Sequence, residues 1–161
     1  MSTDQDFTQQ DVVAKLRKAS IVMLTTARAD GKLLSHPMTI QDVTDDADVW
    51  LFVGLQGDQA DALRQGPEVN LNIAEAGSWL SVAGTARFVE DRAKVKELWD
   101  DTAEGYFPGG ADDPNLALVL VTSDSAQYWG LPGGKVAGVA QILKAKVTGG
   151  DTPGGTGTTE L

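Results

Sequence analysis

The stretch Leu33-Leu34-Ser35-His36-Pro37-Met38-Thr39-Ile40-Gln41 reads as a β-strand with a proline at its centre. Proline has no backbone N–H to give to a neighbouring strand. It is therefore confined to an edge, to a bulge, or to a place where the backbone turns toward a ligand. The strand should leave one side open, and the chain's single histidine, His36, stands immediately before the proline. Other segments arrange themselves as strands around it: residues 20–26 before it, 49–55 after it, and a long strand through 79–89.

The remaining bounds narrow the function classes. At 161 residues the chain can bury one sizeable core, and 42% hydrophobic residues argue against wholesale disorder. A net charge of -10 disfavours a nucleic-acid or anionic-membrane surface. Without cysteine there is neither a disulfide nor a thiolate metal site. With a single histidine, a zinc or copper site would need carboxylates for every other ligand, and no metal is expected. The acidic, polar start MSTDQDFTQQ lacks a signal-peptide pattern, and no apolar run reaches membrane-spanning length. A cytoplasmic protein is the expectation.

Local signals set the order of elements. Residues 1–6 are expected to be loose. Thr8 is placed as the N-cap of a helix running to about Ala19, with Asp11 three residues on and Phe7 positioned as a staple on Val12. Asp30-Gly31 marks a hairpin turn. The acid-rich loop of Asp42, Asp45, Asp46 and Asp48 lacks the glycine and distal glutamate of a calcium loop and reads as a solvated hairpin. Residues 59–65 form a short helix stopped by Gly66-Pro67, with Asp58 as its expected N-cap. Val69-Asn70-Leu71-Asn72-Ile73 alternates cleanly. In the strand that follows, Leu80, Val82, Ala86 and Phe88 share one face, and Gly84 marks a bend. A helix is predicted through residues 91–104, then strands at 116–122, 126–129 and 139–147, with a turn at 131–134. Hairpin-length connections make the sheet antiparallel. The fold class is mainly β (α+β): a six- to seven-stranded antiparallel split barrel with flanking helices. One domain spans 7–148, followed by a flexible Gly/Thr-rich tail at 149–161.

These residues resemble a family. Ser35-His36-Pro37-Met38, Trp50-Leu51-Phe52, the run 60–71 and Ser81-Val82-Ala83-Gly84-Thr85-Ala86 look like the FMN-binding split barrels related to pyridoxamine 5'-phosphate oxidase. Leu98-Trp99, Tyr106-Phe107-Pro108-Gly109-Gly110, Asp112-Asp113-Pro114 and Tyr128-Trp129 resemble the bacterial general-stress-protein branch. The resemblance covers roughly residues 12–149 and is specific in combination. It implies a homodimer with FMN in a groove at the interface. His36 then falls where the family usually has a phosphate-binding arginine. Pro37, Met38 and Thr39 fall along the isoalloxazine ring, Phe52 and Val53 line the groove, and Trp79 and Trp129 cover the ring system, one of them from the other subunit.

The departures from the family pattern concern charge. Gly57, Asp58 and Gln59 stand where the family carries a cationic phosphate-binding segment, and Gln41 stands where pyridoxamine 5'-phosphate oxidases have lysine. A phosphate dianion favours forked, cationic donors. The backbone N–H of Gly57, at the start of the short helix, and Lys135, in the turn after Gly133-Gly134, are the substitutes on offer. Gln41 and Gln59 read as surface polar groups, Trp50 and Trp99 as core. Residues 130–136 lack the Arg-x-His segment of the oxidases proper, so that activity is not expected. Two function classes follow: a flavin-dependent oxidoreductase of the general stress type with unknown substrate, in which the flavin carries the chemistry, or a non-catalytic homodimer that has lost FMN and binds a small aromatic molecule or a partner.

Overall fold

A computed structural model describes residues 7–75, 77–130 and 155–161. The chain runs α1 (Gln9–Lys18), β1 (Ile21–Ala27), β2 (Leu33–Val43), β3 (Val49–Gly54), α2 (Asp58–Gln65), β4 (Glu68–Glu75), β5 (Ser78–Val89), α3 (Arg92–Leu98), α4 (Asp101–Glu104), a 3-10 turn (Gly110–Asp112), β6 (Leu116–Gly130) and β7 (Gly155–Glu160). The strands form one antiparallel sheet in the order β3-β2-β1-β4-β5-β6-β7, and β3 also pairs with β6. That last pairing closes six strands into a barrel and leaves β7 as an addition on β6. None of the described helices is long and apolar enough to cross a membrane.

Alternation along each strand fills the barrel. Val22 and Leu24, Leu51 and Val53, Leu71 and Ile73, Leu80 and Val82, and Val119 and Val121 belong to one buried cluster. Val12, Val13 and Leu16 of α1 and Ala60 and Leu63 of α2 complete it. Each fully buried side chain of this kind is worth about 1.5–3 kcal/mol relative to exposure. Helix α1 starts as expected: Thr8 and Asp11 exchange both bonds of a capping box. Phe7 stacks on Tyr128 with ring centroids 5.0 Å apart. The Asp30-Gly31 turn forms, with Gly31 at φ +83°. The acidic loop after β2 is fastened from outside itself. Asp48 accepts the Ser123 backbone N–H at 3.1 Å, and Arg17 reaches both the Val43 carbonyl and Asp45.

Gly84 sits where the expected bend is found. β5 and β6 slip register between Ala83 and Gly84, leaving Asp124 as the extra residue on β6. A Cβ on Gly84 would lie 2.5 Å from the Thr122 carbonyl oxygen, so the close approach of the two backbones requires glycine. Leu80, Val82 and Ala86 are buried as expected, and Phe88 is half-buried against the same core.

Four expectations are corrected. The strands expected at 116–122 and 126–129 are one continuous β6, because the bulge at Asp124 absorbs the irregularity without ending the pairing. The single helix expected through 91–104 breaks into α3 and α4: Trp99 is extended, and Asp100 caps a new turn through the Ala103 backbone N–H. Asp58 is not the N-cap of α2. Gly57 holds that position at φ +111° with no side-chain cap, and Asp58 lies inside the first turn, 3.8 Å from Arg28. Within the stretch read as a tail, Gly155–Glu160 pairs with residues 125–130 of β6, whose edge β3 has left free by that point. The strand expected at 139–147 lies outside the described residues.

Candidate functional site

The barrel opens at the strand that contains the proline. Residues 33–39 of β2 pair with β1, but β3 joins β2 only from Ile40 onward. Register slips between Ile40 and Asp42, so Gln41 is an extra residue. Bulges of this kind bend a strand and re-aim its side chains. Before Ile40 the edge of β2 is free of β3, as proline in its middle demands.

A cavity of about 200 Å³ occupies the divergence. Pro37, Met38, Thr39 and Gln41 form its β2 side, and Phe52 and Gly54 its β3 side. Gln59 of α2 closes one end, its Nε2 lying 3.2 Å from the Met38 sulfur. Thr102 and Ala103 of α4, followed by Tyr106 and Phe107, form the opposing wall. Ala103, Phe107 and Phe52 are anchored in a second apolar cluster, outside the barrel, with Val95, Leu116 and Leu118. The rings of Phe52 and Phe107 meet edge-on at 6.5 Å.

Loops hold this wall through backbone bonds. Asp113 accepts the backbone N–H groups of Gly109 and Asn115, at 2.9 and 2.8 Å. Asn115 in turn binds the backbone N–H of Leu55 through its carbonyl and that of Gln56 through its side chain. At α4, the Thr102 hydroxyl donates to Asp100 and, with backbone N–H groups of the same turn, holds that carboxyl below its ordinary value.

The lining is neutral: aromatic faces, hydroxyls, a thioether and two carboxamides. Carboxamides donate and accept, which suits a heteroaromatic ring with both kinds of polar edge. Among the described residues no group of three or more metal-ligating side chains gathers. Two buried side-chain polar atoms lack a partner there, Thr26 Oγ1 and His36 Nε2. Leu24 faces His36 and Thr26 faces Leu34 across β1 and β2, so the two atoms belong to neighbouring positions on one face.

Over residues 8–153 the chain matches the family described as pyridoxamine 5'-phosphate oxidase like. It belongs to that family. Among solved structures, this pyridoxamine 5'-phosphate oxidase-like chain is similar to the general stress FMN/FAD binding protein of Xanthomonas citri. The two are 30% identical, with 76% of this chain and 87% of that one covered and a TM-score of 0.63. A protein related to general stress protein 26 of B. subtilis, from Clostridium acetobutylicum, shares the fold at 22% identity and TM-score 0.68, covering 79% and 93% of the two chains. The protein bli-3 of Neurospora crassa is 26% identical over 139 residues, 80% of this chain. The match spans 66% of that relative's length, just under two thirds.

Within this pyridoxamine 5'-phosphate oxidase-like barrel, the residues singled out in the sequence separate into groups. Pro37, Met38, Thr39, Phe52 and Gln59 come together at the cavity. Val53 points the other way, into the barrel core, because strand neighbours alternate. His36 lies on the face of β2 opposite Leu24, and its Nε2 is buried. Gly57 and Asp58 precede Gln59 but do not line the cavity. Trp79 and Trp129 sit directly opposite each other on β5 and β6, 39% and 40% exposed and away from the cavity of their own chain. Lys135 lies outside the described residues. Sequence reasoning missed Gln41, Gly54, Thr102, Ala103, Tyr106 and Phe107 as lining groups. The aromatic pair at 106–107 was a usable signal; the bulge at Gln41 was not, because it exists only in the pairing of β2 with β3.

Proposed function

We propose that this chain is a flavin-binding protein of the general stress type that passes electrons between a reduced donor and a small acceptor. The observation that carries the reading is the cavity at the β2–β3 divergence. It combines an open strand edge at residues 37–39, aromatic faces from Phe52, Tyr106 and Phe107, and the carboxamides of Gln41 and Gln59. The family match and the similarity to an FMN/FAD binding protein support it. Bound there, the flavin would supply the redox chemistry. The chain's residues hold and orient the ring: backbone groups of β2 along its polar edge, the carboxamides at its ends, the aromatic wall excluding water. The lining contains no carboxylate, lysine or histidine that could act as a dedicated acid or base.

The active unit on this reading is a two-fold homodimer, with Trp79 and Trp129 of one copy brought to the cavity of the other. FMN is the cofactor that the family resemblance implies. The residues present fit the ring; the phosphate has no cation waiting for it in the lining. That lack also favours a second reading, a dimer of the same shape that binds a small aromatic ligand without turnover. In either case aldehyde formation from pyridoxamine 5'-phosphate is not expected.

Titration of riboflavin and FMN against the protein, followed by flavin fluorescence, tests the site. Saturable quenching by the wild type that weakens in Phe52→Ala supports it. Absence of quenching by either flavin at micromolar protein contradicts it. Oxidation of a reduced nicotinamide by the loaded protein then separates the electron carrier from the binding protein.

A further inference from the structure

The cavity's charge environment is more specific than its shape. No lining residue is charged, yet four acids stand next to lining residues in the chain: Asp42 beside Gln41, Asp58 beside Gln59, and Asp101 and Glu104 on either side of Thr102 and Ala103. No lysine or arginine holds a corresponding position. The cations on the α2 side are already engaged. Arg28 lies 3.5 Å from Asp30 and 3.8 Å from Asp58. Arg64 binds Asp61 at 2.7 Å and the Leu55 carbonyl at 3.0 Å. The first turn of α2, where backbone N–H groups could meet an anion, carries Asp58 and Asp61 instead. His36 Nε2 is buried rather than presented to the cavity.

We propose that the cavity is selective by charge: it takes an uncharged planar heteroaromatic ligand, a flavin of the riboflavin type, and discriminates against the phosphorylated form of the same ring. This inference rests on the ring site proposed above. Asp100, which caps α4 just ahead of Thr102 and Ala103, has its carboxyl held below its ordinary value by the Thr102 hydroxyl and adds a further negative charge beside the α4 wall. A dianion brought near these carboxylates, with no lysine or arginine among the described lining residues, is expected to bind about tenfold or more weakly than its neutral counterpart. The effect acts through water at the cavity mouth and is therefore sensitive to salt.

Riboflavin and FMN share the ring and differ in the phosphate, so the pair isolates charge. Fluorescence-quenching titrations of the full chain with each flavin are made at low and at high salt, and repeated on Asp58→Asn/Glu104→Gln. The expected result is tighter binding of riboflavin at low salt, with the ratio narrowing several-fold at high salt and in the double variant. Equal or tighter binding of FMN by the wild type at low salt overturns the inference while leaving the ring site intact. A preference for riboflavin that neither salt nor neutralisation changes overturns charge as its cause. Failure of both flavins to bind removes the ring site and this inference together.

Discussion

On the wall built by β3 and the first half of β6, the outward residues Trp50, Phe52, Leu116 and Leu118 lie in a cluster with Val95, Leu98 and Trp99 from the α3 region and with Ala103 and Phe107. On the wall built by β1, β2, β5 and the second half of β6, apolar residues face outward, and no described residue covers them. Ile21 is 59% exposed, Met23 37%, Leu33 71%, Trp79 39% and Trp129 40%. The two walls belong to one barrel, and β6 passes through both. Residues 118–121 are all buried; beyond the bulge at Asp124 the strand alternates between buried and exposed positions. A strand that is apolar on both faces calls for a cover on both faces. β3 and the start of β6 receive theirs from the α3–α4 segment. β1 is just as apolar in Ile21-Val22-Met23-Leu24, but its outer face receives none from the described residues. Exposed apolar faces of this kind mark association surfaces. On the reading proposed above, a second copy of the chain supplies the missing cover, and each cavity is completed across a two-fold axis.

The covered wall should prove the costly one to disturb. Leu118→Ala removes a 2% exposed side chain from the second cluster and is expected to cost about 2–5 kcal/mol, read from urea unfolding. A loss below about 1 kcal/mol would mean that α3 and α4 do not cover this wall as tightly as the packing indicates. Next in size is the boundary between the two halves of β6. Gly84→Ala places a Cβ against the Thr122 carbonyl oxygen and is expected to cost about 1–3 kcal/mol, because the bulge must open. Retention of full stability by that variant would show that the bulge is not fixed by the close approach.

Smaller effects come from the caps. Asp100→Ala removes the side-chain acceptor for the Ala103 backbone N–H and should cost about 1 kcal/mol, since the site is exposed. The same group sets an acid dependence. Bonds from the Thr102 hydroxyl lower the Asp100 carboxyl, and the Thr8 backbone N–H lowers that of Asp11, both from 3.8. A carboxyl held lower in the folded state contributes stability that is complete above its unfolded value. That contribution is lost as pH falls through the lower, folded value. Unfolding free energy should therefore decline below about pH 4, less steeply in Asp100→Ala. An identical acid limb in wild type and variant would contradict the assignment.

How far this arrangement could be read in advance depends on which interactions carry it. The open edge of β2 was legible because one residue, Pro37, forbids the alternative. The capping box at Thr8 and Asp11 and the bend at Gly84 were legible for the same reason: a local chemical requirement named the position. The roles of Gln41 and Gln59 were not legible. Gln41 becomes the extra residue only through the register of β2 against β3, and Gln59 reaches the cavity only after α2 docks. Periodicity carried the predicted helix through Trp99 because that residue suits an apolar helix face, whereas Trp99 is an extended C-cap of α3 whose ring lies 6.1 Å from that of Phe52. The pairing of Gly155–Glu160 with β6 rests on backbone bonds, and a Gly/Thr-rich segment carries no side-chain pattern to announce it. Alternation placed Trp79 and Trp129 on one face, but not which surface that face would meet.

The most direct test of the bare wall is the mass of the particle in solution. Sedimentation equilibrium of the wild type at micromolar concentration is expected to give twice the chain's 17.0 kDa, from an interface burying more than about 2,000 Å². Ile21→Asp/Met23→Asp, which puts two carboxylates on that wall and leaves the barrel interior untouched, is expected to sediment as a folded single chain. A wild type of single-chain mass, or a double variant that dimerises as well as the wild type, would contradict the claim that a second copy covers this face.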